Sequence, residues 1–475
     1  MTRGSEKRAA MVLGAVLFVS YAYFYQAGGW NQNSRFALVR AIIEQHTLQI
    51  DAYRAETGDR ALWKDHYYSD KAPGASLAAV APVVAARGLV RLVRVNPKTP
   101  RAIAWMSYVA TVATSGVFTI IAALIVFRLS IAWGFTQNAA LFAATAYGLA
   151  SPAWCYATLF MGHALTAGCL MLAFMAAVDI GERWHAFLVG LWIGFAVLSE
   201  FPAAVPGLFI IVMAVAAARN RSLVLTRVIA GGVIPALVLL AYNTAAFDAP
   251  FHLGYASEEG FEELRTGFFG ITSPAWSRLQ EILVGNYRGL LPLAPLLALT
   301  PIGLVVLGRA RARLRPVLTA AAIVAFYFML NASYYYWEGG WAYGPRHVTP
   351  ALPFLALGLA PLWDRWGRAG RVLLSAGWIW GAALTLVAVS TTPQPPSAIQ
   401  APVRELLWPA FRDGDLSLNN QSFTDYRADQ DLLRDNPDGH AAWNLGQLAG
   451  LHGLPSLLPL GLIWMIGGWL LLRPD

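Results

Sequence analysis

Charge is what this 475-residue chain has least of: Asp, Glu, Lys and Arg together make up 13% of it, against roughly 25% in a soluble globular chain. Hydrophobic residues make up 57% and mean hydropathy is +0.49. Apolar stretches recur along nearly the whole length, so lipid is the solvent of most of the chain. Cysteine is scarce. Cys155 and Cys169 both fall in or beside apolar runs, which excludes a disulfide framework and a cysteine-based metal spacing. The sequence shows no internal repeat, and no segment interleaves basic with aromatic residues, so the net charge of +8 does not imply nucleic acid. The first apolar run, from Ala9 to about Gln26, lacks a small-residue cleavage site. It ends instead in YAYFYQ, an aromatic belt suited to a membrane interface, and reads as a retained helix.

A helix needs about 20 mostly apolar residues to cross a bilayer. Spans are expected near 9–26, 102–127, 138–154, 164–180, 186–199, 202–217, 226–246, 289–307, 317–336, 349–363, 371–390 and 454–472. The fold class is therefore an all-α polytopic membrane protein. The basic loops 218–227, 308–315 and 365–371 are the cytoplasmic candidates, because Lys and Arg stay on that side during insertion. Counting outward from them puts the loop around His163, the loop 247–288 and the stretch 337–347 on the extracytoplasmic side. This count holds if 73–90, apolar enough to span, lies half-inserted or along the interface. The SEFP break (199–202) supports it, since proline interrupts a helix there and makes two short spans of 186–217.

The expected organisation is a transmembrane module over 1–390, a small extracytoplasmic segment over 391–453, and a last span with a cytoplasmic tail over 454–475. Within the module, 27–101 forms the first extracytoplasmic loop. There Phe36, Val39, Ile42 and Ile43 recur at helical spacing, as in a helix lying on the membrane surface.

The polar residues that could carry chemistry gather in the extracytoplasmic loops. YYSDKAPG (67–74) sets Asp70 and Lys71 beside a turn that re-enters the bilayer. Such a lysine can pair with a lipid phosphate, and such a carboxylate can bind metal or act as a base. A solvated loop with a lysine reaching for the interface would read the same way. His163 opens a span, and Glu200 lies between two short spans, where an ionisable group is costly. The loop 247–288 mixes His252, Tyr255, Glu258, Glu259 and Arg288 with glycines and aromatics. The stretch 334–354 puts Glu338, Arg346 and His347 at a helix mouth suited to an anion such as phosphate.

The order NQNSRFALVRAIIEQHTLQID, YYSDKAPG and SPAWCYATLFMGH resembles the start of the GT-C glycosyltransferases. The branch it resembles is glycosyltransferase family 39, which holds the protein O-mannosyltransferases and lipid A aminoarabinose transferases. The resemblance implies a GT-C-like bundle of about 12 to 13 transmembrane helices with interfacial helices in the first outer loop. It also implies a polyprenyl-phosphate-linked sugar as donor. Lys71 matches the family's phosphate-binding lysine, with Arg346 and His347 expected to assist. Asp70 matches the neighbouring acid that binds metal in some members, and His163 stands at the second-loop acid. With His252, a divalent metal ion on Asp70, His163 and His252 is expected. Arg35, Glu200, Tyr255 and Glu338 are the expected substrate-binding groups. The family's first acid, its base, falls on Gln32 or Asn33, and an amide cannot take a proton. Asp51 or Asp70 is then expected as the catalytic carboxylate, with Asp51 preferred.

The function this implies is transfer of a sugar from a polyprenyl-phosphate donor to a glycan, lipid or protein acceptor. The expected place is the extracytoplasmic face of a bacterial inner membrane. The other reading is a non-catalytic lipid-linked-sugar binding protein or transporter of a cell-envelope polysaccharide pathway. A transporter would place ionisable groups in mid-bilayer on broken helices, whereas these collect at one surface.

Overall fold

The structure, a computed structural model, describes residues 3–181, 184–420 and 442–472. The 391–453 segment is thus described only at its two ends, and residues 473–475 of the expected tail lie outside the description. Two small two-stranded sheets interrupt an otherwise helical chain among the described residues. This is an all-α integral membrane protein.

The first helix, α1 (Arg3–Ala22), leads into α2 (Trp30–Arg40) and a π-helical extension, Ala41–Gln45. After a loop come α3 (Gly74–Leu92) and α4 (Pro100–Thr111), then α5 (Val117–Ala132), continuous with α4 through a π turn at Val112–Gly116. Helices Gly162–Val178, His185–Ser199 and Arg221–Phe247 follow at the expected places. So do Arg311–Ser333, Arg368–Thr391 and the last helix, Leu458–Leu472. Six helices among the described residues are long and apolar enough to cross a membrane alone, α3 among them; four shorter apolar helices lie between. Helices His185–Ser199 and Arg221–Phe247 cross on bare backbone. A Cβ at Gly190 or Gly231 would collide with the facing carbonyl of Val228 or Phe187, the small-residue contact that membrane helices favour.

The side-chain bonds sort the connections into two ends. At one, Ser5 donates to Gln137 at 3.2 Å, the Thr136 amide donates to Asp364 at 2.8 Å, and Arg313 donates to the Trp133 carbonyl. The N-terminus and the basic turns share that end. At the other, Tyr108 donates to the Ala22 carbonyl at 2.6 Å and Arg35 meets Glu200 at 3.0 Å.

Composition would let α3 cross, but its contacts lay it beside α2. Ser76 near its start donates to the Arg35 carbonyl at 3.0 Å, and Arg87 near its end sits 3.4 Å from Glu44. The two helices therefore run side by side, and α4 returns against α3 through Val83, Ala86, Ile103 and Met106. The described parts of 391–453 clamp the chain just before α2. Asn419 donates to the carbonyls of Gln26 and Gly28, both at 2.8 Å, and Phe24–Tyr25 pairs antiparallel with Trp443–Asn444.

Both cysteines are buried, so a cysteine introduced at Asn96, in the exposed turn after α3, can be labelled alone. A membrane-impermeant maleimide is expected to reach Asn96→Cys from the same side as Glu263→Cys and opposite to Arg371→Cys. Labelling together with Arg371→Cys would make α3 a crossing helix.

Candidate functional site

The end of the bundle that holds Arg35 contains a cavity of about 830 Å³. Three local features of sequence build its polar wall. Helix α2 starts at Trp30, and its first turns bring Trp30, Asn31, Gln32 and Arg35 to the cavity. The DKAPG turn brings Lys71. The SEFP break brings Glu200: helix His185–Ser199 stops, Glu200 takes an extended backbone, and Pro202 opens the next turn. An apolar part of the lining comes from Ala204 and Val205 of one apolar helix and Phe326 and Leu330 of another.

Arg35 is 1% exposed and spends its guanidinium on three elements. It donates to Asn31 Oδ1 at 3.1 Å, to the Ala72 carbonyl at 2.9 Å and to Glu200 Oε1 at 3.0 Å. His163 Nδ1 stands 3.6 Å from the same Glu200 oxygen. This approach needs Gly162, where a Cβ would lie 2.2 Å from Glu200 Oε1. His347 packs edge-on against His163, with ring centroids 5.7 Å apart, and its Nε2 lies 3.3 Å from the Tyr336 carbonyl.

Lys71 forms a second cluster. Its ammonium is 3.0 Å from Asp59 and bonded to Asp70, and it lies 5.5 Å from the centre of the Tyr255 ring. Burial opposes its charge, yet Asp59, Asp70 and Glu258 together hold its pKa well above the usual lysine value. Burial pushes the Asp70 carboxyl up while Lys71 pulls it down. Burial, followed by the charge on Asp70, pushes Glu258 up to about 9. Glu258 is therefore protonated at neutral pH and can donate to Asp70.

Arg35, Lys71, His163, Glu200, Tyr255, Arg346 and His347 thus line one cavity. Asp51, Asp70, His252 and Glu338 do not line it. Asp51, expected as the base, bonds His66 Nδ1 and the Tyr67 amide, both at 2.7 Å; it holds a turn against the hairpin 61–68. Asp70 is fully buried behind Lys71 and accepts from Ser34 at 3.2 Å. His252 is wedged against Trp63 and Phe247 and bonds Ser257 at 2.9 Å. Glu338 meets Arg288 only through its carbonyl, at 2.9 Å. The expected metal set of Asp70, His163 and His252 therefore does not assemble, and no group of three His, Cys, Asp or Glu among the described residues is placed to hold a metal.

Asp59 is an ionisable cavity residue that sequence reasoning missed. Nothing in TGDR sets it apart from Asp51 or Asp65; its role appears only when the loop folds back and brings it to Lys71. Of the adjacent Glu258 and Glu259, only the former lines the cavity, while Glu259 pairs with Arg60 at 2.8 Å.

No protein-family model matches the chain, and no curated protein matches it. Solved structures do. Against ArnT from Cupriavidus metallidurans in the apo state, identity is 18% and the TM-score 0.50, over 83% of this chain and 66% of that one. Against the same protein bound to undecaprenyl phosphate, identity is 14% and the TM-score 0.53, over 86% and 74%. The fold is GT-C. The chain also matches the archaeal oligosaccharyltransferase AglB from Archaeoglobus fulgidus, in complex with an inhibitory peptide and a dolichol-phosphate, at 12% identity and a TM-score of 0.49, over 92% and 61%. The chain spans just under two thirds of the length of apo ArnT. What it shares with ArnT is the arrangement of helices.

Two predictions test the electrostatics. Lys71→Met leaves Asp59 and Asp70 facing each other with no cation, and removing one partner of a buried pair costs about 3–5 kcal/mol. The detergent-solubilised variant should melt well below wild type, and adding Asp59→Asn should recover part of the loss. Glu258 stabilises the fold in its neutral form, so its contribution is complete below the ordinary carboxyl value of 4.5 and fades as pH rises towards about 9. Melting temperature should therefore fall between pH 5 and 9 more steeply in wild type than in Glu258→Gln. Parallel curves would refute the assignment.

Proposed function

We propose that the chain is a membrane glycosyltransferase that moves a sugar from a polyprenyl-phosphate-linked donor to an acceptor at the cavity end of the bundle. One observation carries the reading. Five buried side-chain polar atoms on residues lining the cavity have no hydrogen-bond partner: Gln32 Nε2 and Oε1, Glu258 Oε2, Asn331 Oδ1 and Arg346 Nε. Leaving a buried polar group unpaired costs about 1–3 kcal/mol each, so the cavity suits a polar ligand that supplies their partners. The apolar part of the lining belongs to two membrane helices, which suits a ligand with a lipid tail. ArnT of the same fold is seen with undecaprenyl phosphate bound.

In this reading Lys71 and Arg346 face the donor phosphate, with His347 beside Arg346. The base moves from Asp51 to Glu200. Of the three carboxyl groups lining the cavity, Glu258 is protonated and Asp59 pairs with Lys71, the cation this reading gives to the donor phosphate; Glu200 pairs instead with Arg35, which this reading leaves to it. Glu200 takes the proton of the acceptor hydroxyl as its oxygen bonds to the anomeric carbon. The bond from that carbon to the phosphate oxygen breaks, and its electron pair leaves with the phosphate, where the cations stabilise it. Arg35 and His163 fix the Glu200 carboxylate. The basic turns at the opposite end support a cavity facing the extracytoplasmic side of a bacterial inner membrane.

Purified protein in nanodiscs, given labelled polyprenyl-phosphate hexoses and an envelope lipid extract, should transfer or hydrolyse the label. Glu200→Gln should lower that rate about 10²-fold or more while still binding polyprenyl phosphate. Asp51→Asn should stay close to wild type. Full activity in Glu200→Gln, or its loss in Asp51→Asn, would return the base to the hairpin loop.

A further inference from the structure

Near the start of α2, the carboxamide of Gln32 is the most thoroughly unpartnered group lining the cavity. The residue is 2% exposed, and neither its Nε2 nor its Oε1 has a hydrogen-bond partner. Packing does not explain this orientation. A buried amide with no structural bond would be replaced without loss by Leu or Met of similar shape.

Its surroundings show what it could meet. A Cβ built on Gly29 would lie 2.8 Å from both Gln32 Oε1 and Gln394 Oε1, so the two carboxamides converge at the mouth of α2. Gln394 gives its Nε2 to the Gly28 carbonyl at 3.0 Å, whereas Gln32 keeps both ends open. Trp30 lines the same cavity. Gln32 thus presents one donor and one acceptor side by side, without charge. A phosphate has only acceptors to offer, and an ammonium only donors. A vicinal pair of sugar hydroxyls matches both atoms at once, one hydroxyl accepting from Nε2 and the other donating to Oε1.

We infer that Gln32 is a specificity residue that reads a vicinal diol on an uncharged sugar in the cavity. The inference rests on the glycosyltransferase reading and names a feature of its substrate. The diol could belong to the donor sugar or to a sugar acceptor, and two arms of one experiment separate them.

Wild type and Gln32→Leu are compared in nanodiscs by tryptophan quenching. In the first arm the titrants are polyprenyl phosphate and polyprenyl-phosphate hexose; in the second, a methyl hexoside is added to protein already loaded with polyprenyl phosphate. Gln32→Leu should weaken the sugar-bearing ligand about tenfold more than the bare lipid, the size of one to two lost hydrogen bonds. A loss confined to one arm assigns the diol to that ligand. Without ligand, Gln32→Leu should melt at or above wild type, since it removes two unpaired buried atoms; a purely structural amide would give the opposite result. Equal losses for the sugar-bearing and bare lipid in the first arm with no loss for the methyl hexoside in the second, or a lower melting point of the free variant, would overturn the inference while leaving the transferase reading in place. Failure of the wild type to bind polyprenyl phosphate at all would take down both.

Discussion

The guanidinium of Arg35 is the interaction on which the cavity end depends. An arginine that is 1% exposed keeps its charge, because its pKa is too high for burial to remove the proton. It must therefore be met on every side, and its three partners come from three different stretches of chain. Asn31 lies one turn back on α2, the Ala72 carbonyl belongs to the DKAPG turn, and Glu200 belongs to the SEFP break. Satisfying one charge thus fixes α2, the start of α3 and the junction of two short membrane helices against each other. Lys71 precedes Ala72 by one residue, and His163 reaches Glu200. Both side chains inherit their positions from that knot.

The rest of the end is a set of clamps that keep the knot from opening. Arg40 bonds Glu56 through both carboxylate oxygens, at 2.8 and 2.9 Å, and stacks over Tyr53 at 4.0 Å, tying α2 to the loop after it. Arg288, fully buried, donates to the Glu338 and Gly340 carbonyls at 2.9 and 2.6 Å and holds the segment that carries Arg346. The strand pair between Phe24–Tyr25 and Trp443–Asn444 fixes the chain where it leaves α1. Each clamp lies at a junction, where backbone leaves a helix and needs partners that lipid cannot supply.

Most of the fold was legible because lipid imposes a simple rule on sequence. Apolar runs of the right length mark the helices, and Pro202 marks the break that makes Glu200 available. The cavity was legible where a residue sits at such a mark: Lys71 in its turn, Glu200 at its proline, His163 and Arg346 at helix mouths. It was illegible in the loop 51–68, where which carboxylate reaches the cavity is decided by how a short hairpin folds back. Asp51 and Asp59 are eight residues apart in the same polar loop. One satisfies the amide of Tyr67 and the other meets Lys71, and no periodicity separates them. His252 misled for a related reason, since a histidine between aromatic residues packs as readily as it ligates.

The amide at position 32 and the carboxylate at position 200 are two sides of one arrangement. Gln32 lies three residues before Arg35 on α2, a spacing at which side chains on a helix meet. A carboxylate at 32 would compete with Glu200 for the guanidinium, and a guanidinium bound to both would hold neither oxygen pair in a single place. With an uncharged amide there, Arg35 is left to Glu200, whose carboxylate is then oriented by Arg35 on one side and His163 on the other. The charge at the cavity thus sits where two membrane helices join, held by Arg35 at 3.0 Å and approached by His163 at 3.6 Å.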